Sequence, residues 1–283
     1  MTGSVKIKIE IFSRRKKMKK NLKALTVLAA MIFSTGFIGC KKTDKDASKV
    51  TEAKNESVEK KLKVVASTSW TAAFADLAGI DDVEIIAPAS LRHPPEYEIT
   101  VSDIQKIKDC DIFIFAGFER MMQTIGDTIE NVKMVKITCD NSIATVTSSA
   151  MTIADGIGTQ TLCESRVLEY VNKIYEGKNA LKEKGLEGAK VLCNSNQRFL
   201  ANELGLEIVG TFGPNPVTSE QIKFASENKV DFIIDNVHNP VGQPLAEVSP
   251  DAKYIVWRNF PEKVERKALI NVVSENMNKL INQ

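Results

Sequence analysis

From residue 61 onward, short β-branched and aromatic runs alternate with helix-length segments, and that rhythm leaves few architectures open. Runs of this kind stand at 64–67, 83–87, 111–115 and 134–137, and again at 191–193, 207–209, 231–234 and 254–257. Brief, nearly unbroken apolar runs read as parallel strands buried on both faces. Between the two sets lies 162–184, free of Pro and with Gly only at 177, where Val167, Val171 and Ile174 repeat at helical spacing and Leu168 and Tyr175 widen the stripe. Such a helix is about 30 Å long. Hydroxyl and acid side chains at Ser102–Asp103 and Thr218–Ser219 mark helix starts, and Gly185 and Gly205 mark stops. The expected class is α/β: two lobes, each with a four-stranded, mainly parallel sheet, joined by one long backbone helix. The boundaries are 61–160 for the first lobe, 161–186 for the helix and 187–283 for the second lobe.

The amino terminus reads as an address. A basic start at Met18 leads into an uncharged stretch from Ala24 to Gly39, sixteen residues, short of the ~20 that span a bilayer as a helix. Residues 1–39 are therefore expected to be a signal peptide, with Met18 as the true start. The segment Phe37-Ile38-Gly39-Cys40 resembles a bacterial lipobox, so Cys40 is expected to be lipidated. Residues 41–60, rich in Lys, Asp, Glu, Ser and Thr, are expected to form a flexible tether. The formal net charge is +2, but nine Lys/Arg and one acid fall in 1–39, which leaves −6 for residues 40–283. That sign argues against nucleic acid as a partner. The location expected is extracytoplasmic, lipid-anchored to a bacterial membrane, and the chain is expected to act as a monomer. Of the four later cysteines, Cys110 and Cys193 read as buried small hydrophobes, and Cys139–Cys163 is an open disulfide pairing.

In open parallel sheets, ligands bind outside the carboxyl ends of the strands. The only two histidines, His93 and His238, both follow strands, one in each lobe. Neutral imidazole is the commonest metal-binding side chain, and two imidazoles need further ligands to complete a tetrahedral site. Glu96, Glu98, Glu119 and Asp235 stand in the same post-strand segments, so the metal set put forward is His93, His238, Glu98, Glu119 and Asp235. Trp70, Arg120, Asn194, Arg198, Arg258 and Asn259 form a second set, suited to an anionic or planar organic ligand.

The stretches 93–107, 115–120 and 199–210, with the order lipobox, tether, lobe, long helix, lobe, resemble the substrate-binding lipoproteins of bacterial zinc and manganese ABC importers (cluster A-I). The resemblance implies a rigid linking helix, a zinc or manganese ion held between the lobes as cargo, and delivery to an ABC permease. At the positions where it implies metal ligands, this chain carries Pro95, Glu119, Asn194 and the pair Arg258–Asn259.

The function expected is thus capture of a transition-metal ion between two lobes, with no catalysis and no resident cofactor. One alternative keeps the transport role but carries a metal chelate or small anionic organic molecule on the Arg and Trp residues. Others are an adhesin or sensor lipoprotein, and an enzyme with Cys193 or Cys139 as nucleophile and His238 as base.

Overall fold

The computed structural model describes residues 62–125 and 129–283. The expected signal peptide, Cys40 and the whole of the tether lie outside them. Strands β1 (Val64–Ala66), β2 (Glu84–Ile85), β3 (Ile112–Phe115) and β4 (Lys133–Lys136) form one parallel sheet in the order β2-β1-β3-β4. Strands β5 (Lys190–Asn194), β6 (Glu207–Phe212), β7 (Phe232–Asn236) and β8 (Lys253–Trp257) form a second, in the order β6-β5-β7-β8. Each sheet places its earliest strand inside rather than at an edge, as right-handed crossovers running to both sides require.

The connections are helical: α1 (Ser69–Leu77), α2 (Val101–Lys108), α3 (Met121–Ile125) and α4 (Ile143–Ile157) in the first lobe. The linking helix is α5 (Gln160–Glu183), and the second lobe holds α6 (Arg198–Leu204), α7 (Ser219–Glu227), α8 (Gln243–Val248) and α9 (Ala268–Ile281). Starts are fixed by hydroxyl caps. Thr68, Thr100 and Thr218 each close a capping box, on Thr71, Asp103 and Gln221 respectively. The first expected start is thus two residues early, at Thr100, because Asp103 there bonds back to the Thr100 amide. Gly205 ends α6 in the left-handed conformation that favours glycine.

Alternation along the strands sorts their side chains into separate cores. Val64, Ala66, Ile112 and Ile114 of the first sheet join Val191, Cys193, Phe232 and Ile234 of the second in one buried cluster. Tyr170 and Ile174 of α5 and Val273 and Met277 of α9 complete it. Val65 and Phe113 face the opposite way, into a core private to the first lobe, and Leu192 and Ile233 into one private to the second. The linking helix is therefore not a free strut between two bodies. It lies in a core that both sheets share.

All four described cysteines are free, so the 139–163 pairing does not form. Cys163 is fully buried on α5 against the shared core, while Cys139 is only partly buried after β4.

Candidate functional site

The facing carboxyl ends of the strands meet in a seam, and three of the hydrogen bonds between the lobes, among the described residues, cross it there. Ser69 Oγ donates to the Pro261 carbonyl at 2.6 Å, and Asn141 Nδ2 donates to the Asn259 carbonyl at 3.1 Å. The third joins His238 Nδ1 to the Arg92 carbonyl at 3.0 Å. A carbonyl only accepts, so Nδ1 carries the proton and Nε2 carries a lone pair. That Nε2 is buried and has no partner. Burial, then the positive charge of Arg258, push the imidazole down to about 4, against a smaller upward pull from the Arg92 carbonyl. His238 is therefore neutral at pH 7, with a free nitrogen held in place from the opposite lobe.

Aromatic rings fill the rest of the seam. Phe260 stacks on His238, centroids 3.7 Å apart and planes 10° apart, and meets Trp70 at 5.6 Å. Trp70 meets Phe118 at 6.5 Å. A void of only about 10 Å³ remains among Thr68, Trp70, Pro94, Pro95, Phe118 and Phe260. A larger open groove of about 450 Å³ shares Phe118 with the seam and runs past Lys136, Thr138, Ser149 and Thr152. None of its lining residues carries a buried atom without a partner.

The carboxylates put forward as metal ligands are committed elsewhere. Asp235 is fully buried, and its two oxygens accept from Asn194 Nδ2, the Asn236 amide, the Gly242 amide and the Tyr254 hydroxyl, all within 3.0 Å. Gly242 is required for that approach, since a Cβ there would lie 2.7 Å from the Phe212 ring. Glu119 is equally buried and holds its own loop, accepting from the Ser67 hydroxyl and from the Ala116 and Gly117 amides. Glu98 is exposed and pairs with Arg120 at 3.1 Å. His93 is exposed at the entry to a short 3₁₀ turn, Pro94–Glu96. Among the described residues, no three His, Cys, Asp or Glu side chains are grouped so as to hold a metal ion. The five residues of the metal set are thus not gathered about one point, although His93 lies near enough to His238 to act on its charge, and His238 presents a buried, free ligand atom to the seam.

The second set fares differently from one residue to the next. Trp70 lines the seam, and its indole N–H is buried without a partner. Arg120 and Arg258 are paired, the latter with Glu262 at 2.5 Å. Arg198 is exposed, bonds the Ser195 carbonyl and lies over the Phe199 ring. Asn194 is fully buried as a donor to Asp235, while Asn259 is buried with a free Oδ1. Arg120 and Arg258 are thus committed to glutamates, while Arg198 meets only the Ser195 carbonyl and the Phe199 ring.

Two residues at the seam were not singled out in the sequence: Asn141 and Phe260. Each follows a strand by a few positions, which is the one signal that could have found them. Among the described residues, neither Cys193 nor Cys139 has the surroundings that activate a thiol. Burial pushes the Cys193 thiol up to about 12 and the Cys139 thiol well above its ordinary value, opposite to the shift a reactive thiolate needs.

No protein-family model and no curated protein matches the sequence. Solved structures do match. The SBP FpvC of Pseudomonas aeruginosa, in complex with a nickel ion, superposes with a TM-score of 0.63 at 14% identity, covering 78% of this chain and 96% of that one. The chain has the fold of these two-lobed binding proteins. Laminin-binding protein (Lmb) of Streptococcus agalactiae, described as having adhesin and metal-transporting activity, gives 0.59 at 17% identity, over 78% and 99%. A zinc-bound variant of AdcAII from Streptococcus pneumoniae gives 0.58 at 17%, over 78% and 98%.

Proposed function

We propose that this protein is the extracytoplasmic substrate-binding component of an ABC importer of the metal-uptake kind, anchored through Cys40, and that it takes its metal in complexed form. The observation that carries this reading is the buried, unpartnered Nε2 of His238 at the seam between the lobes. A neutral imidazole whose other nitrogen donates to a carbonyl is how proteins present a metal-binding lone pair. One imidazole fills one of the four positions that zinc takes in a tetrahedral site. Glu119 and Asp235 already spend their oxygens on the protein's own donors. The positive charge of Arg258 beside His238 further disfavours a bare dication. The remaining ligands therefore arrive with the cargo. The binding proteins of like fold named for nickel and zinc support the metal class.

In this reading the lobes part enough to admit the complex, and His238 takes one position on the metal. The loaded protein is then presented to the permease. The core shared by both sheets keeps the motion small.

Metal content is the test. Protein made in its own envelope and purified without chelator is analysed by elemental mass spectrometry, beside a His238→Ala variant of unchanged circular dichroism. About one metal per chain in the parent, and none in the variant, is the expected result. Equal metal in both would remove His238 from the account.

A further inference from the structure

From Arg258 to Lys267, between β8 and α9, the chain is neither helix nor strand, and its outer part, 262–267, is exposed. A few side-chain and backbone ties hold it in place. Asn276 of α9, fully buried, fixes its start by accepting from the Arg258 amide at 2.9 Å and donating to the Arg258 carbonyl at 2.6 Å. Beyond that clamp the ties run to the first lobe. Asn141 donates to the Asn259 carbonyl and Ser69 to the Pro261 carbonyl. Asp76 accepts from the Arg266 guanidinium with both oxygens, each at 3.1 Å, and from the Lys267 amide at 2.9 Å.

Among the described residues, no hydrogen bond or ion pair joins 259–267 to 187–257. What meets that part of the second lobe is a ring: Phe260, 6% exposed, stacked on His238. His238 itself is rooted there, its amide donating to Asn236 Oδ1 at the end of β7. The imidazole therefore belongs to one lobe, while the Phe260 ring on its face and the Arg92 carbonyl at Nδ1 are carried by the other. The void beside Phe260 measures about 10 Å³, room for no more than a water.

We infer that residues 259–266 form a strap that travels with the first lobe, and that Phe260 on it is a latch that keeps His238 shut away until the lobes part. The strap stands on these contacts alone; its role over a cargo contact rests on the reading of His238 proposed above. Parting the lobes draws the Phe260 ring and the Arg92 carbonyl off the imidazole together, so opening the seam and baring the Nε2 lone pair are one event. One aromatic pair and one neutral hydrogen bond are modest interactions, so the latch releases readily. The ties of the strap to the first lobe are stronger, since a charge-assisted contact through Arg266 joins the neutral ones.

Acylation of histidine by diethyl pyrocarbonate near pH 7, followed peptide by peptide on the metal-free mature protein, tests it. Each rate is scaled to that of the urea-unfolded chain. His93, exposed, should react at close to the unfolded rate, and the buried His238 of the parent at least about tenfold more slowly. Phe260→Leu should speed His238 about fivefold or more, and Phe260→Tyr, which keeps the ring, should not. Ser69→Ala combined with Arg266→Met decides the matter, because it cuts ties of the strap to the first lobe and alters neither ring. It should also speed His238 about fivefold or more; if it fails to fold, Arg266→Met alone should do so about threefold. Alkylation of Cys193, buried in the second sheet, should stay about tenfold or more below His238 in scaled rate, which places the opening short of unfolding. A His238 rate that the tie variants or Phe260→Leu leave unchanged overturns the inference, as does a Cys193 rate that matches it. The expected rates together with full metal in His238→Ala would overturn the reading of the cargo contact and leave the strap standing.

Discussion

Carboxylates at strand ends invite a metal-site reading, and Asp235 shows why residue identity alone misleads. Its four donors come from Asn194, Asn236, Gly242 and Tyr254, so it ties the ends of β5 and β7 to strand β8 and to the segment that leads into α8. Asp235→Ala should therefore cost about 3 kcal/mol or more, seen as a lower urea midpoint, because it strands several buried donors. His238 carries a different signature. Its pKa is about 4 in the folded chain and near 6.5 when unfolded. The unfolded chain thus takes up the proton first, so this contribution is fully present above about pH 6.5 and fades as pH falls towards 4. The loss is of order 3 kcal/mol. Urea titrations across that window should show a decline that His238→Gln flattens; an unchanged decline would place its cause elsewhere. Histidines and acids after strands were legible as candidates. Which of them keep a free atom was not, since that depends on donors from distant segments. The amide of Asn141 was less legible still, because a carboxamide in a loop looks like an ordinary turn residue.

At the scale of elements, the strands and the long helix were written in the apolar pattern, and α5 runs from Gln160 where a start at 162 was expected. Strand ends were less well marked: β6 continues to Phe212, past the apolar run, because its pairing with β5 continues there. Gly177 is the informative exception inside α5. A Cβ at this position would come within 2.0 Å of the Met277 sulfur, so the missing side chain is what lets α9 lie against the helix. Gly177→Leu should destabilise the fold by about 3 kcal/mol through overpacking, despite leucine's better helix propensity. Chemical denaturation would show it as a reduced midpoint. An unchanged midpoint would mean that the two helices do not pack this closely.

For the whole molecule, the plan of two four-stranded parallel sheets and a linking helix was legible because buried parallel strands announce themselves by composition. The shared core was not, since apolar periodicity says which face is buried but not against what. The segment after β8 returns to the first lobe, where the Pro261 carbonyl meets Ser69, the Arg266 guanidinium meets Asp76 at 3.1 Å, and the Lys267 amide donates to the same carboxylate. Asp76 also holds the buried Arg166 of α5. These ties, with the aromatic seam, make the interlobe space narrow, and the proposal of a complexed metal cargo rests on the one ordered imidazole there, His238. A native mass spectrum of residues 41–283, produced in a bacterial envelope and purified without chelator, tests that claim most directly. A mass excess of metal plus an organic partner, persisting after brief exposure to chelator and absent from His238→Ala, is the predicted result. An excess equal to a single bare metal ion, or one that His238→Ala leaves unchanged, would contradict it.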